Sequence, residues 1–121
     1  MDSITKYAIE QIEQTIKAGE NLTLIWRTIK ATQDPVLGVP ARLLKVQEEA
    51  GEVAAAFISN QGLNVRKLGK QPASNVTIVN ELLDVAITAL VAVQDWSNID
   101  PLQLLAFKIK GVADRCQTEG S

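Results

Sequence analysis

Apolar residues recur along this chain at three- and four-residue intervals, and no segment alternates with the two-residue period of a half-buried strand. The spacing predicts an all-α protein. Ser3 can cap a first helix, Ile4–Lys17, whose Ile4, Ala8, Ile12 and Ile16 fall on one stripe, and Gly19 supplies a stop. A second helical piece starts at Asn21 or Thr23 and carries Leu22, Ile25, Trp26 and Ile29 at helical spacing. The turn residues of DPVLGVP, 34–40, predict a loop, and a third helix follows from about Ala41 to Ser59. Ser59 to Ser74 is polar, contains glycine and carries Arg66, Lys67 and Lys70, the composition of a long loop. Ser74 or Asn75 caps a fourth helix that continues to about Trp96. The last helix opens on Asp100 as N-cap with Pro101 in the first helical position, and runs to about Cys116. Residues 1–121 read as a single domain.

The fourth helix has the most unusual pattern. Between Gln71 and Gln94 its only charged residues are Glu81 and Asp84. At about 100° per residue, Thr77, Glu81, Asp84 and Thr88 form one narrow polar strip, and the rest of the circumference is apolar. A helix this apolar is expected to be buried on most sides, as a central helix shared with a subunit interface. Carboxylates on the only polar strip of a buried helix cost several kcal/mol, roughly, unless a cation or hydrogen-bond donors replace their hydration. No Lys or Arg lies near them in sequence, so the compensating charge comes from another element or from a metal.

The third helix offers a second acidic set in KVQEEAGEV: Glu48, Glu49 and Glu52, with Lys45 beside them. Glu49 and Glu52 are three apart, like Glu81 and Asp84, so each pair projects oxygens from one helix face. Antiparallel neighbours would gather four carboxylates, a hard-oxygen site suited to Mg²⁺ or Mn²⁺ with substrate phosphates completing the shell. Taken alone, the third helix fits an ordinary solvated face equally well, since Leu43, Val46, Ala50, Val53, Ala54 and Phe57 make a core stripe on the other side.

Composition narrows the chemistry. The 121 residues include no His and one Cys, which excludes Ser-His-Asp and Cys-His catalysis and histidine-ligated zinc. Acid–base work falls to carboxylates, Lys, Arg, Tyr7 or water. A net charge of −2 and a pI near 5.1 argue against binding a nucleic-acid polymer. The charged, amphipathic N-terminus is unlike a signal peptide, and the most apolar run, Val85–Val93, is short of the ~18–20 residues that span a bilayer. A cytoplasmic protein without a membrane partner is expected.

The acidic words Glu48-Glu49-Ala-Gly-Glu52 and Glu81-Leu-Leu-Asp84, within EEAGEVAAAFI and NELLDVAITAL, resemble the EExxE and ExxD motifs of the MazG-like all-α nucleoside triphosphate pyrophosphohydrolases. The similarity covers about Leu43–Leu90 well and the final helix loosely, while the first 30 residues match only in being helical. The resemblance implies a four-helix bundle core, here with an extra N-terminal helix, assembled as a dimer or a dimer of dimers. It also implies Mg²⁺-dependent cleavage of a nucleoside triphosphate, a deoxynucleotide by preference, between the α and β phosphates.

Carried over by position, the resemblance makes Glu49, Glu52, Glu81 and Asp84 metal ligands and Glu48 a supporting group or the base for the attacking water. Lys108 and Arg115, two turns apart on one flank of the last helix, become phosphate partners, against the plainer alternative of a solvated helix end. The Asn that the family commonly places between them is Val112 here. Trp26 is the aromatic candidate for stacking on the base, with a core role as its alternative. Trp96 fits packing and Asn80 a surface amide. Two further functions stay open at this point: pyrophosphohydrolysis of a phosphoribosyl nucleotide, and a non-catalytic helical module whose acidic strip meets a basic surface.

Overall fold

The computed structural model describes residues 2–63 and 72–119. Among the described residues there are four helices and no strand: α1 (Ser3–Thr32), α2 (Gly38–Asn60), α3 (Asn75–Val93) and α4 (Pro101–Glu119). The all-α expectation holds, but the division of the N-terminal third does not. The pieces expected on either side of Gly19 form one 30-residue helix, so no separate extra N-terminal helix exists. Glycine inside a helix costs about 1 kcal/mol relative to alanine, and packing here outweighs that cost. Gly19 is buried against Asp100 at the start of α4, and a Cβ at position 19 would come within 2.5 Å of Asp100 Oδ2. The glycine marks a close crossing and not a stop.

The helix ends follow local chemistry. Asp2, and not Ser3, caps α1, its carboxylate accepting from the Thr5 N–H at 2.7 Å. α2 begins inside the segment expected to be a loop, because the Asp34 carboxylate accepts from the N–H groups of Val36 and Leu37 and closes a tight turn. Pro40 then sits in the first turn, where an N–H has no intrahelical partner to lose. Ser74 caps α3 through Thr77 N–H, and Asp100 accepts from Leu102 N–H at the start of α4, as expected. α3 ends at Val93, short of Trp96, in a turn whose N–H groups reach back three residues.

α2 and α3 make the dominant helix pairing, and it is fastened at both ends. At one end the Asn60 amide donates to Ala73 O at 2.8 Å, and Ser59 Oγ accepts from Ala73 N–H at 3.0 Å. At the other, Arg42 grips Asp95 through Nε and Nη2 at 2.5 Å each, with both side chains almost fully buried. The end of α2 therefore meets the start of α3, and the start of α2 meets the turn after α3, so the two run antiparallel. α1 joins the same network: Trp26 Nε1 donates to Asp95 Oδ1 at 3.0 Å, and Gln33 Oε1 accepts from Arg42 at 2.6 Å. Buried Gln94 accepts from Thr23 Oγ1 and donates to the Leu22 carbonyl.

Apolar burial within one chain is slight. Among the described residues the buried apolar side chains are Leu22, Val91, Ala92 and, at the start of α4, Pro101, accompanied by the polar Arg42, Glu49 and Gln94. The stripes expected to face a core are exposed instead, with Ile4, Ile12 and Ile16 on α1 and Leu43 and Phe57 on α2, and Leu105, Ile109, Val112 and Cys116 of α4 are exposed as well. α3 is not enclosed either, since Val79, Leu82 and Leu83 are each more than half exposed. The inward face of α2 runs Arg42, Val46, Glu49, Val53, Ala56 and Asn60, rotated from the predicted face toward the carboxylates. The chain presents 9494 Å² of accessible surface, against roughly 6,400 Å² for a compact monomer of its mass. α3 is also long and apolar enough to cross a membrane by length and composition, a criterion that the shorter run Val85–Val93 does not meet.

The hydrogen bonds from Arg42, with a smaller contribution from Trp26, hold the Asp95 carboxyl below its ordinary range despite its burial. A carboxyl lowered by folding binds fewer protons in the native state, so its contribution is complete above the ordinary aspartate value and is lost as pH falls through the lowered one. Asp95→Asn is expected to remove this acid-side loss and to cost about 3–5 kcal/mol in a urea titration at neutral pH, because it leaves the Arg42 charge buried and uncompensated. A cost under about 1 kcal/mol, the scale of an exposed pair, would show that the pair does not fasten the helices.

Candidate metal centre

Between the two fastened ends, the α2–α3 seam carries carboxylates where aliphatic side chains would ordinarily meet. Glu49 and Glu52 share a face of α2 through their three-residue spacing, and Glu81 faces them from α3. One oxygen from each of the three lies within 4.8 Å of the other two. Glu49 is only 9% exposed, Glu81 is half-buried and Glu52 opens to solvent. Glu81 Oε2 is buried and has no hydrogen-bond partner among the described residues. The negative charge of Glu49, followed by lost hydration, hydrogen bonding to Glu49 and the charge of Glu81, pushes the Glu52 carboxyl above its ordinary value.

Three anions and an unsatisfied buried oxygen call for a cation. Lys45 supplies part of the charge, its Nζ standing 3.2 Å from Glu48 Oε1 and 3.4 Å from Glu49 Oε1. It serves α2 alone: among the described residues no ion pair involves Glu52 or Glu81. The donor set is all carboxylate oxygen with one open side, which fits Mg²⁺ or Mn²⁺ and leaves room for water and phosphate in the shell.

The remaining candidates are distributed differently. Asp84, three residues beyond Glu81, is exposed and does not join the three. Glu48 is exposed and reaches the cluster only through Lys45. Trp26 is engaged elsewhere: its indole donates to Asp95, and the Lys30 ammonium lies 4.5 Å from its ring centroid. Glu81 to Val93 alone spans about 18 Å of helix, and Asp95 lies beyond that, so Trp26 belongs to the polar network at the far end of the hairpin. Lys108 and Arg115 flank a shallow depression on α4 with Phe107, Gly111 and Val112, and neither pairs with the cluster among the described residues. Arg66, Lys67 and Lys70 lie outside the described residues.

Lys45, read from the sequence as lying beside the acidic set, pairs with Glu48 and Glu49 at the three- and four-residue spacing of helical ion pairs. The Arg42–Asp95 pair escapes a reading of the sequence. Asp95 and Arg42 are 53 residues apart, and no local spacing links them. No protein-family model, curated protein or solved structure matches the chain.

A carboxyl raised by folding binds more protons in the native state than in the unfolded one, so native stability falls as pH rises from the ordinary glutamate value through the raised one. Without divalent ions, the melting temperature is expected to decline over that interval, and Glu52→Gln to flatten the decline. Millimolar Mg²⁺ is expected to restore the wild-type melting temperature at neutral pH and to do little for the variant. An identical pH profile for both proteins would show that the three carboxylates do not repel one another.

Proposed function

We propose that this chain is a Mg²⁺-dependent nucleoside triphosphate pyrophosphohydrolase of the MazG-like kind, with Mn²⁺ able to replace Mg²⁺. The observation that carries the proposal is the convergence of Glu49, Glu52 and Glu81 across the α2–α3 seam, with one buried oxygen left without a donor. These are residues of the EExxE and ExxD words, brought together by packing that those words do not themselves dictate. A divalent ion held there would neutralise phosphate charge and acidify a water. Glu49, Glu52 and Glu81 would supply its oxygen ligands, with exposed Asp84, one turn along α3 from Glu81, as a fourth ligand once ion and substrate are bound. Glu48, oriented by Lys45, takes the proton from a water that attacks the α phosphorus. The bond from the α phosphorus to the bridging oxygen breaks, releasing a nucleoside monophosphate and pyrophosphate. Deoxynucleoside triphosphates are the favoured substrates.

The proposal includes a homo-oligomer, a dimer or a dimer of dimers. The surface in excess of a compact monomer is roughly 3,000 Å² per chain, or about 6,000 Å² over two chains, at the upper end of the 2,000–5,000 Å² or more that obligate interfaces bury in total. Exposed large apolar side chains lie on all four helices, with the longest runs on α1 and α3. A second copy suits those faces better than lipid does, because Glu81 and Asp84 sit in the middle of α3, where a single Asp costs about 2.5–3.5 kcal/mol in a bilayer. Lys108 and Arg115, away from the cluster of their own chain, meet phosphate when α4 packs in the assembly. The location that follows is the cytoplasm.

Two measurements test these statements. Incubation with a panel of dNTPs, NTPs and phosphoribosyl-ATP is expected to release pyrophosphate in Mg²⁺ and none in EDTA, with dNTPs ahead. Glu52→Gln and Asp84→Asn should each lower kcat/KM by about 100-fold or more, and Glu48→Gln should lower kcat by about 100-fold with little change in Mg²⁺ dependence. Full activity in Glu52→Gln and Asp84→Asn would overturn the assignment, and metal binding without turnover on any nucleotide would favour the non-catalytic module. Light scattering is expected to give a mass at least twice the 13.1 kDa of the chain, reduced by Leu83→Glu. A single monomeric species would overturn the oligomer.

A further inference from the structure

We propose that the open cavity between α1, α2 and α3 is the nucleoside subsite, taking the base and sugar of one mononucleotide whose phosphates lie at the Glu49–Glu52–Glu81 cluster. This inference rests on the metal–phosphate reading of that cluster and adds where the rest of the substrate goes. The cavity holds about 270 Å³ and is walled by Ile25 and Ile29 of α1, Lys45 of α2, and Ile87, Thr88 and Val91 of α3. Its size is near the ~300 Å³ lower end of small-molecule pockets, suited to a single nucleoside.

Position is the first argument. Lys45 is shared by the cavity wall and the acidic centre, where its ammonium stands between Glu48 and Glu49. On α3, Thr88 lies seven residues beyond Glu81, a rise of about 10 Å, which is the scale separating a base from its outer phosphates. A nucleotide with its phosphates at the seam and its sugar beside Lys45 and Thr88 has this aliphatic crevice in reach. The Trp26 ring does not line this cavity, and its indole N–H is engaged by Asp95.

Chemistry is the second. Four aliphatic side chains offer apolar contact to both faces of a flat ring. Arg42 also touches the cavity, but its guanidinium is committed to Asp95 and Gln33, so it does not draw a phosphate into the crevice. The neutral polar groups in the wall are the Gln33 amide and the Thr88 hydroxyl. Walls of this kind sort ligands by size and shape more than by hydrogen-bonding pattern, which is worth about 10–200-fold per methylene-sized difference.

The test uses the full-length protein in Mg²⁺ and two probes, a deoxythymidine triphosphate with an α,β-imido bridge and inorganic tripolyphosphate, titrated by calorimetry. Ile87→Phe and Ile25→Phe, at partly exposed positions that tolerate a larger side chain, should each weaken the nucleotide analogue by about tenfold or more and leave tripolyphosphate within about twofold. Unchanged analogue affinity in both variants, with tripolyphosphate still bound, would overturn the subsite and leave the cluster assignment standing. The same unchanged affinity accompanied by a lower oligomeric mass would assign the cavity to a second copy of the chain. Equal weakening of both probes would overturn the subsite by showing a general disturbance. Failure of the wild type to bind either probe would overturn the cluster assignment and the subsite together.

Discussion

The Arg42–Asp95 pair is the contact on which the remaining geometry depends. It joins the start of α2 to the turn after α3, and through Trp26 and Gln33 it ties α1 to both. A buried ion pair is not in itself a large source of net stability, because desolvating two charges offsets much of their attraction. Its effect here is positional. Leu22, Val91 and Ala92 are too small an apolar core to choose a register for a 23-residue helix against a 19-residue one. The ion pair at one end and the Asn60–Ala73 bond at the other choose it instead.

That register sets Glu49 and Glu52 against Glu81 and turns the aliphatic faces of α3 outward. The seam therefore mixes carboxylates with Val46, Val53 and Ala56, while Val79, Leu82 and Leu83 of α3 stay outside it. Both features need completion: the carboxylates by a cation, the outer apolar faces by another surface. The proposed metal site and homo-oligomer would answer the two needs separately. The cavity beside Lys45 links the seam to α1, which otherwise touches the acidic centre only through the network around Asp95.

Much of this was legible in the residues, and the misses have identifiable causes. Ser74 and Asp100 announce their helices because capping is a local interaction. Glu49, Glu52 and Glu81 could be singled out because α3 has so little polar surface that its carboxylates demand a partner. Gly19 misled, since a glycine that permits close crossing and one that ends a helix look alike until Asp100 is brought against it. The stripe Ile4, Ala8, Ile12 and Ile16 has the period of a buried face, and periodicity does not say whether the cover comes from the same chain. Trp26 lies on an apolar stripe, yet its ring nitrogen is claimed by a carboxylate 69 residues away. Asp84 shares a helix strip with Glu81 but not its depth: Glu81 is half-buried and Asp84 is exposed.

The central claim is that the inward carboxylates of the α2–α3 seam are a divalent-ion site. Titrating Mn²⁺ while following the paramagnetic resonance of the free ion tests it without reference to turnover. The wild type is expected to remove at least one Mn²⁺ per chain from solution, and the folded double variant Glu49→Gln, Glu81→Gln to remove none. Equal Mn²⁺ uptake by both proteins, or none by the wild type at millimolar ion, would contradict the account.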